Sequence, residues 1–224
     1  MLLSDVTIST KLPSSHTLVV IPTCMLHFQE RASALATTYL QDIQQNTLNH
    51  MVVHFFFGHD VNTTKVHDIA KQNHIPWWTI HVLRGVKDTE YPPVRKNTAM
   101  LIRAAALATQ HNYGWVFKVD DDTLINVPIL AKVVLRLDPS KSTIMGRRGW
   151  GDATDQRFLR LAKPYCMGGP GYLMSVTALH QIVAHLPACV RQAEKSAIHQ
   201  HLWHSDVVIG TCFLQHLNLG CWES

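Results

Sequence analysis

Short apolar runs alternate with longer helical patterns along the first half of this 224-residue chain. Runs rich in β-branched and aromatic residues predict strands at residues 17–21, 51–57, 77–83 and 115–119. Between them, apolar residues at helical spacing predict helices at 29–41, 61–73 and 96–110. This alternation predicts an α/β fold, in which a mostly parallel central sheet is flanked by helices on both faces.

The second half of the chain has fewer strands and a glycine-rich segment. Its patterns predict a strand at 142–145 and helices at 127–137, 176–186 and 206–217. The segment Gly168-Gly169-Pro170-Gly171 lies between the strand and the second of these helices. Neither a linker nor an internal repeat separates the halves, so residues 1–224 are predicted to form one domain.

Composition and charge exclude several classes of protein. A hydrophobic share of 46% and a charged share of 16% are typical of a folded domain. The net charge of +4 comes without a run of Lys or Arg, which argues against a nucleic-acid partner. The most apolar stretch, 99–108, contains Arg103 and is too short to span a membrane. The first residues lack the pattern of a secretory signal, so a cytosolic location stays open.

Three consecutive carboxylates, Asp120-Asp121-Asp122, directly follow the fourth predicted strand. Ligands of parallel sheets bind beyond the carboxyl ends of the strands, and carboxylates at i and i+2 can share a divalent cation. An exposed acidic turn is the alternative interpretation. A calcium loop of the helix-loop-helix type is excluded, because Leu124 and Ile125 occupy the positions that need an oxygen ligand and a glycine.

Three blocks in this order resemble one family of enzymes. Residues 115–126 (WVFKVDDDTLIN), 164–175 (PYCMGGPGYLMS) and 205–212 (SDVVIGTC) are similar to characteristic segments of the fringe-like β1,3-glycosyltransferases, glycosyltransferase family thirty-one. Weaker matches are Arg31 at the start of the first helix and Tyr91 with Lys96 and Thr98. The resemblance extends from about residue 19 to the C-terminus.

The resemblance implies a GT-A fold and an inverting, metal-dependent transfer from a UDP-sugar. A hexose or N-acetylhexosamine would pass, in a β1,3 linkage, to a hydroxyl of a glycan, glycoprotein or glycolipid. Residues of about 15–126 would bind the nucleotide sugar, and residues of about 127–224 the acceptor. Family members generally lie in the Golgi lumen behind a membrane anchor, and we expect the same location here.

The same resemblance assigns roles to individual residues. Asp122 would be the principal ligand of Mn²⁺ or another divalent cation, Asp120 would meet the metal or the ribose, and Asp121 would lie near the nucleotide. Asp206 would be the general base, although an acid at the start of a helix also stabilises the helix. The further expected contacts of the nucleotide sugar are Thr23, Arg31, Lys96, Gly169 and Gly171, the glycines being equally compatible with an ordinary turn.

Two departures from the family pattern suggest a second candidate function. Ser205 stands where the family usually has Glu, and the family's downstream histidine ligand is matched only by His216, inside a predicted helix. Because the chain ends at Ser224, soon after Asp206, we expect a C-terminally truncated or divergent member. The alternative to an active enzyme is therefore a catalytically impaired relative that binds glycans or nucleotides. A nucleotidyltransferase is disfavoured, since residues 22–26 lack a glycine-rich, lysine-bearing loop.

The remaining histidines and cysteines carry weaker expectations. His199, His201 and His204 favour a surface or acceptor-lining role over a metal site, because no carboxylate completes the spacing. The five cysteines form no CxxC pair, so a cysteine-based zinc site is not predicted. Cys166 and Cys212 fall within two of the family-like blocks and are candidates for a disulfide, with the connectivity left open.

Overall fold

A computed structural model of the protein describes residues 16–45, 50–76, 79–151, 161–195 and 204–222. The strands are β1 (Thr17–Pro22), β2 (Met51–Phe57), β3 (Ile80–Val82), β4 (Trp115–Lys118), β5 (Ile144–Gly146), β6 (Arg148–Gly149), β7 (Tyr165–Cys166) and β8 (Tyr172–Ser175). The helices are α1 (Met25–Thr37), α2 (Tyr39–Gln45), α3 (Thr63–Gln72), α4 (Val94–His111), α5 (Val127–Val134), α6 (Val176–Val183), α7 (Leu186–Lys195) and α8 (Ser205–Leu217).

The central sheet has the strand order β3-β2-β1-β4-β8-β5. The neighbours β3, β2, β1 and β4 are parallel, with Thr17 opposite both Met51 and Trp115, and β8 runs antiparallel to β4 and to β5. Helices cover both faces, so the predicted α/β fold with a mostly parallel sheet is confirmed. The carboxyl ends of β1 and β4 therefore meet at one edge of the sheet, which is where the acidic triplet follows.

Two hydrophobic clusters pack on opposite faces of the sheet. One joins alternate residues of β1 and β2 to α1, α2, α3 and α5, and the other joins the intervening residues to α4, α6 and α8. Every residue of β1 is buried, as expected for a central strand covered on both faces. The rigidity of this core fixes the position of the sheet edge.

A buried histidine, His54, pairs with a half-buried one, His81, on the neighbouring strand of the sheet. Nδ1 of His54 on β2 lies 2.7 Å from Nε2 of His81 on β3, and the two rings are stacked. Burial, followed by the neighbouring charge of His81, lowers the pKa of His54 to about 3. Burial and Arg103 of α4 lower the pKa of His81 to about 4. Both imidazoles are therefore neutral at pH 7.

Several boundaries differ from the sequence prediction, chiefly in the second half. The predicted strand at 77–83 is β3 at Ile80–Val82, with residues 77 and 78 outside the described part. The predicted helix at 29–41 begins earlier, at Met25, and is interrupted at Thr38. The glycine-rich segment 168–171 is flanked by two strands that the sequence patterns do not predict, β7 and the buried strand β8. These strands were missed because two to four residues are too few to show an alternating pattern.

Two disulfides hold the second half together. Cys166 of β7 is bonded to Cys221, and Cys189 of α7 to Cys212 of α8. The candidate pair of Cys166 with Cys212 is therefore wrong. The reason is local: the N–H of Cys221 donates to the carbonyl of Pro164, which places Cys221 beside β7, while Cys212 faces α7. Cys24 is free.

Helix α8 lies very close to the short ribbon formed by β6 and β7. A Cβ atom at Gly210 would lie 2.3 Å from the Cβ of Tyr165, so only glycine permits this approach. Because Asp206 lies in the first turn of α8, the contact between Gly210 and Tyr165 helps to determine where the Asp206 carboxylate lies relative to the edge of the sheet. Among the described residues, we find no helix with the length and apolar character that crossing a membrane requires.

Candidate active site

A cleft of about 480 Å³ opens at the carboxyl ends of β1 and β4. Its walls are the β1–α1 loop, the first turns of α1, residues 88–93, the start of α4 and the acidic triplet. The cleft brings together six of the sequence-predicted site residues, which lie far apart along the chain: Thr23, Arg31, Lys96, Asp120, Asp121 and Asp122. Their proximity follows from the parallel strands, which end at the same edge.

Asp121 is the most enclosed carboxylate of the triplet. The Thr23 hydroxyl donates to its Oδ2 at 2.5 Å, the guanidinium of Arg31 donates to its Oδ1, and His27 lies 3.7 Å from Oδ2. Both carboxylate oxygens are therefore engaged by protein donors from the β1–α1 region. This arrangement fixes Arg31 and Thr23 at the wall of the cleft.

Asp120 and Asp122 are the two carboxylates that face the opening. The Asp122 side chain is 63% exposed, and its one ion-pair partner among the described residues is Arg31, at 3.7 Å. The Asp120 side chain is 37% exposed and accepts a hydrogen bond of 2.5 Å from Lys118. Burial raises the pKa of Asp120, while the Lys118 ammonium opposes that shift and the other two aspartates add to it.

The carboxylates that remain open fit a hard divalent cation. Asp120 and Asp122 both present free oxygen atoms to the cleft, and oxygen ligands of this kind suit Mn²⁺ or Mg²⁺. Asp121 does not fit a ligand role, because its oxygens are already occupied. Of the described residues, only Cys189, Cys212 and His216 form a group of three converging donors, and two of these are joined in a disulfide.

Lys96 lies beneath the cleft and is almost fully buried. Its ammonium donates to the carbonyl of Thr23 at 3.0 Å and to the carbonyl of Asp88, and it is 3.4 Å from the Asp88 carboxylate. Asp88 in turn accepts from the N–H groups of Met25 and Gly58 at 2.7 and 2.8 Å. The expectation that Lys96 contacts the nucleotide stays a prediction; its hydrogen bonds connect it to the loop that carries Thr23.

Asp206 and the glycine-rich segment lie beside the acidic triplet, outside the residues that line the cleft. The N–H of Gly168 donates to Asp206 Oδ2 at 3.1 Å, and the Asp206 Oδ1 accepts from the N–H of Val207 at 2.9 Å. The hydroxyl of Thr123 donates to the carbonyl of Gly169 at 2.7 Å, which ties the segment to the end of the triplet. Asp206 is thus oriented by the backbone of Gly168, in addition to its place at the start of α8.

The two other glycines of the segment differ in their surroundings. Gly171 has a φ of +86°, and a Cβ there would lie 2.9 Å from the carbonyl of Lys118, so this glycine is required by the backbone. A Cβ at Gly169 would meet no atom within 4 Å, so this glycine borders open space. A contact of either glycine with the donor sugar stays a prediction.

Sequence reasoning missed Asp88 and the roles of Lys118 and Tyr172. Asp88 lies in a segment without regular structure, where no pattern signals a buried carboxylate. Lys118 lies in one of the three family-like blocks. The observation that could have identified it is the presence of a charged lysine within an otherwise apolar strand. Tyr172 is fully buried, and burial, followed by the charges of Asp206 and Asp120, raises the pKa of its phenol, which therefore stays protonated.

His216, the downstream histidine considered as a metal ligand, lies away from the acidic triplet. His216 lies in the last turn of α8, about 15 Å along the helix from Asp206, and its ring stacks on His185. His204 is exposed immediately before α8. His199 and His201 lie outside the described residues, so the expected surface or acceptor-lining role stays a prediction for them.

Comparisons with known proteins agree with the resemblance of the three blocks. The Fringe-like family model matches residues 12–224. Chondroitin sulfate synthase 3 of Mus musculus is 32% identical over 132 residues, which cover 58% of this chain and 14% of that protein. Chondroitin sulfate glucuronyltransferase of Homo sapiens is 30% identical over 112 residues, covering 49% and 13%. The chain therefore spans about a seventh of the length of the curated relatives that it matches.

A solved structure of similar shape is mouse xyloside xylosyltransferase 1 in its apo form. It is 14% identical, has a TM-score of 0.48, and the match covers 93% of this chain and 84% of that one.

Taken with the sheet and the cleft, the family model and the two sequence relatives define a class: an α/β protein related to glycosyltransferases. More specifically, the chain belongs to the Fringe-like family. The predicted family is confirmed, and the transferase class is supported in this coarse form.

Proposed function

We propose that this protein is an inverting glycosyltransferase that moves a sugar from a UDP-sugar to a glycan hydroxyl in a metal-dependent reaction. The observation that carries the proposal is the proximity of two open carboxylates, Asp120 and Asp122, to a separately held carboxylate, Asp206, with the Lys118 ammonium and the backbone of Gly168 between Asp120 and Asp206. A leaving-group site and a base on opposite sides of the reacting carbon are what inversion requires.

The donor would lie in the cleft between the β1–α1 loop and the triplet. Asp120 and Asp122 would hold Mn²⁺ or another divalent cation, which supplies positive charge for the departing diphosphate. Arg31 is fixed by Asp121 and lies 3.7 Å from Asp122, so its guanidinium is available to the same phosphates. Thr23 and the buried Lys96 support the loop from below.

Asp206 would accept the proton of the acceptor hydroxyl. The bond from the acceptor oxygen to the anomeric carbon forms while the bond from that carbon to the diphosphate oxygen breaks, and the electron pair leaves with UDP. Two hydrogen bonds from backbone N–H groups hold the carboxylate in place before the acceptor arrives. Such preorganisation lowers the cost of reaching the transition state.

The relatives suggest which substrates to try first. Their names specify chondroitin sulfate and, in one case, glucuronyl transfer, so UDP-glucuronic acid and chondroitin oligosaccharides head the panel. UDP-hexoses and UDP-N-acetylhexosamines follow, with the β1,3 linkage as the expected product. A Golgi location is proposed on the same family basis.

The test is UDP release by the full chain in the presence of Mn²⁺, a UDP-sugar panel and these acceptors. We expect Asp122→Ala to lower turnover at least about 10³-fold, because the diphosphate loses its charge partner. Asp206→Asn should abolish transfer while UDP–Mn²⁺ binding, measured by calorimetry, stays within about threefold. An Asp206→Asn variant with normal turnover would exclude Asp206 as the base.

The departure at Ser205 supports the second candidate, a catalytically impaired member that binds UDP or glycan. Ser205 begins α8 beside Asp206 where the family usually has Glu. Binding of UDP–Mn²⁺ without UDP release across the whole panel would favour this candidate over the enzyme.

A further inference from the structure

Lys118 is a buried cation placed where the two sides of the site meet. It is the last residue of β4, and its side chain is only 2% exposed. Taking an ammonium out of water is costly unless opposite charge and hydrogen-bond acceptors compensate for it. An apolar side chain would fill the same position at the end of a buried strand without that cost. The charge therefore requires an explanation beyond packing.

The contacts of the Lys118 ammonium extend in two directions. On one side it donates to Asp120 Oδ1 at 2.5 Å, and on the other it donates to the carbonyl of Gly168 at 3.2 Å. The ring of Tyr172 lies below it, with the centroid 5.9 Å away. Lys118 thus links the triplet directly to the glycine-rich segment.

Gly168 continues this link to Asp206. Its N–H donates to Asp206 Oδ2 at 3.1 Å, while its carbonyl accepts from Lys118. The packing is tight, because a Cβ at Gly168 would lie 3.2 Å from the Cβ of Asp206 and 3.4 Å from the Lys118 ammonium. The backbone of a single residue therefore separates the Lys118 ammonium from the Asp206 carboxylate.

We propose that Lys118 is a positioning residue that sets the distance between the open carboxylates of the triplet and Asp206. The proposal rests on the proposed function, in which Asp120 serves the leaving group and Asp206 the acceptor. Loss of the ammonium releases the carbonyl of Gly168, and with it the N–H that orients Asp206. It also leaves the Asp120 carboxylate without its ammonium partner, so that both of its oxygens are available to a divalent cation.

The first of these consequences should lower turnover, whereas the second should preserve or strengthen the binding of the divalent cation. This difference distinguishes a positioning role from a general loss of structure. In Lys118→Met, we expect kcat to fall about 10²-fold, since a displacement of the order of 1 Å at a reacting group has that effect. The dissociation constant for Mn²⁺–UDP should stay the same or decrease. A variant that merely unfolds would lose binding and turnover together. Lys118→Arg keeps the charge and both donor directions, and should recover at least about tenfold of the lost kcat.

Hydrogen exchange gives a readout that does not depend on turnover. In Lys118→Met, the backbone amides of residues 167–171 and of the first turn of α8 should exchange at least about tenfold faster than in the unaltered chain. The control is Lys132→Met, which makes the same chemical change at an exposed position on α5 and should alter neither exchange nor kcat.

The outcomes distinguish this proposal from the proposed function. Unchanged exchange at residues 167–171 in Lys118→Met would overturn the positioning role, whatever the turnover. A kcat of Lys118→Met within twofold of that of the unaltered chain would also overturn the positioning role. A loss of Mn²⁺–UDP binding as large as the loss of turnover would do the same. If the unaltered chain releases no UDP with any substrate, the proposed function fails, while the exchange result still decides whether Lys118 positions Asp206.

Discussion

The first half of the domain, residues 16–126, and the second half, residues 127–222, stabilise their functional side chains by different means. In the first half, parallel strands end at one edge, and buried charges such as Lys96 and Asp88 fix the loops beyond them. The second half has short antiparallel strands, and both disulfides found among the described residues lie there. Long elements position a site through topology, whereas short ones need covalent links to reach similar order.

The first half should be the more sensitive to loss of a single charge. Asp88→Asn leaves Lys96 buried without its carboxylate and removes an acceptor from the N–H groups of Met25 and Gly58. We expect the free energy of unfolding to fall by about 3–5 kcal/mol, as when one partner of a buried ion pair is removed. Urea denaturation measures this loss.

The matched control for this change is Asp68→Asn on the exposed side of α3, which should alter the free energy of unfolding by less than about 0.5 kcal/mol. A loss below about 1 kcal/mol in Asp88→Asn would show that the network around Lys96 contributes little.

The second half should be the more sensitive to loss of a covalent link. Replacing Cys166 and Cys221 together by Ser opens a loop closed across 55 residues, and should lower the free energy of unfolding by about 2–4 kcal/mol. Thermal unfolding of the variant and of the unaltered chain, both without reductant, gives the difference. Cys24→Ser changes the one free cysteine and should leave the midpoint where it was. An unchanged midpoint in the double variant would argue against the bond.

The smallest expected effect is that of pH, and it should arise in the first half. His54 and His81 have folded-state pKa values of about 3 and about 4, below the usual 6.5, so the unfolded chain binds protons first as pH falls. Their stabilising contribution is full above about pH 6.5 and is lost as pH falls toward 4. We expect a loss of about 1–2 kcal/mol between pH 7.5 and pH 5, shared by His54 and His81 because both folded-state pKa values lie below 5.

Denaturation of His54→Gln at both pH values tests this origin. The variant should be less stable at pH 7.5 but should show a smaller loss between the two pH values than the unaltered chain. An equal loss in both proteins would place the pH dependence elsewhere.

The structure of the first half could be predicted from the sequence more completely than that of the second half. Strand β2 at Met51–Phe57 and helix α4 were predictable, because long runs show their period clearly. The triplet and Asp206 could be named from local blocks, and the parallel topology explains why Thr23 and Arg31 meet Asp121. Strand β8 and the Cys166–Cys221 bond could not be predicted, since both depend on contacts between distant segments that leave no local pattern.

The glycines of the second half have a consequence for engineering the acceptor preference of the proposed enzyme. Gly210 is confined by Tyr165, so a mutant library that varies this position would consist mainly of misfolded chains. Gly169 borders open space within the same site, and side chains of graded size can be introduced there without displacing a neighbour. Two glycines that look equivalent in the sequence thus differ in how well they tolerate substitution. Gly210 tolerates no larger residue, whereas Gly169 is the better position at which to seek variants with altered selectivity.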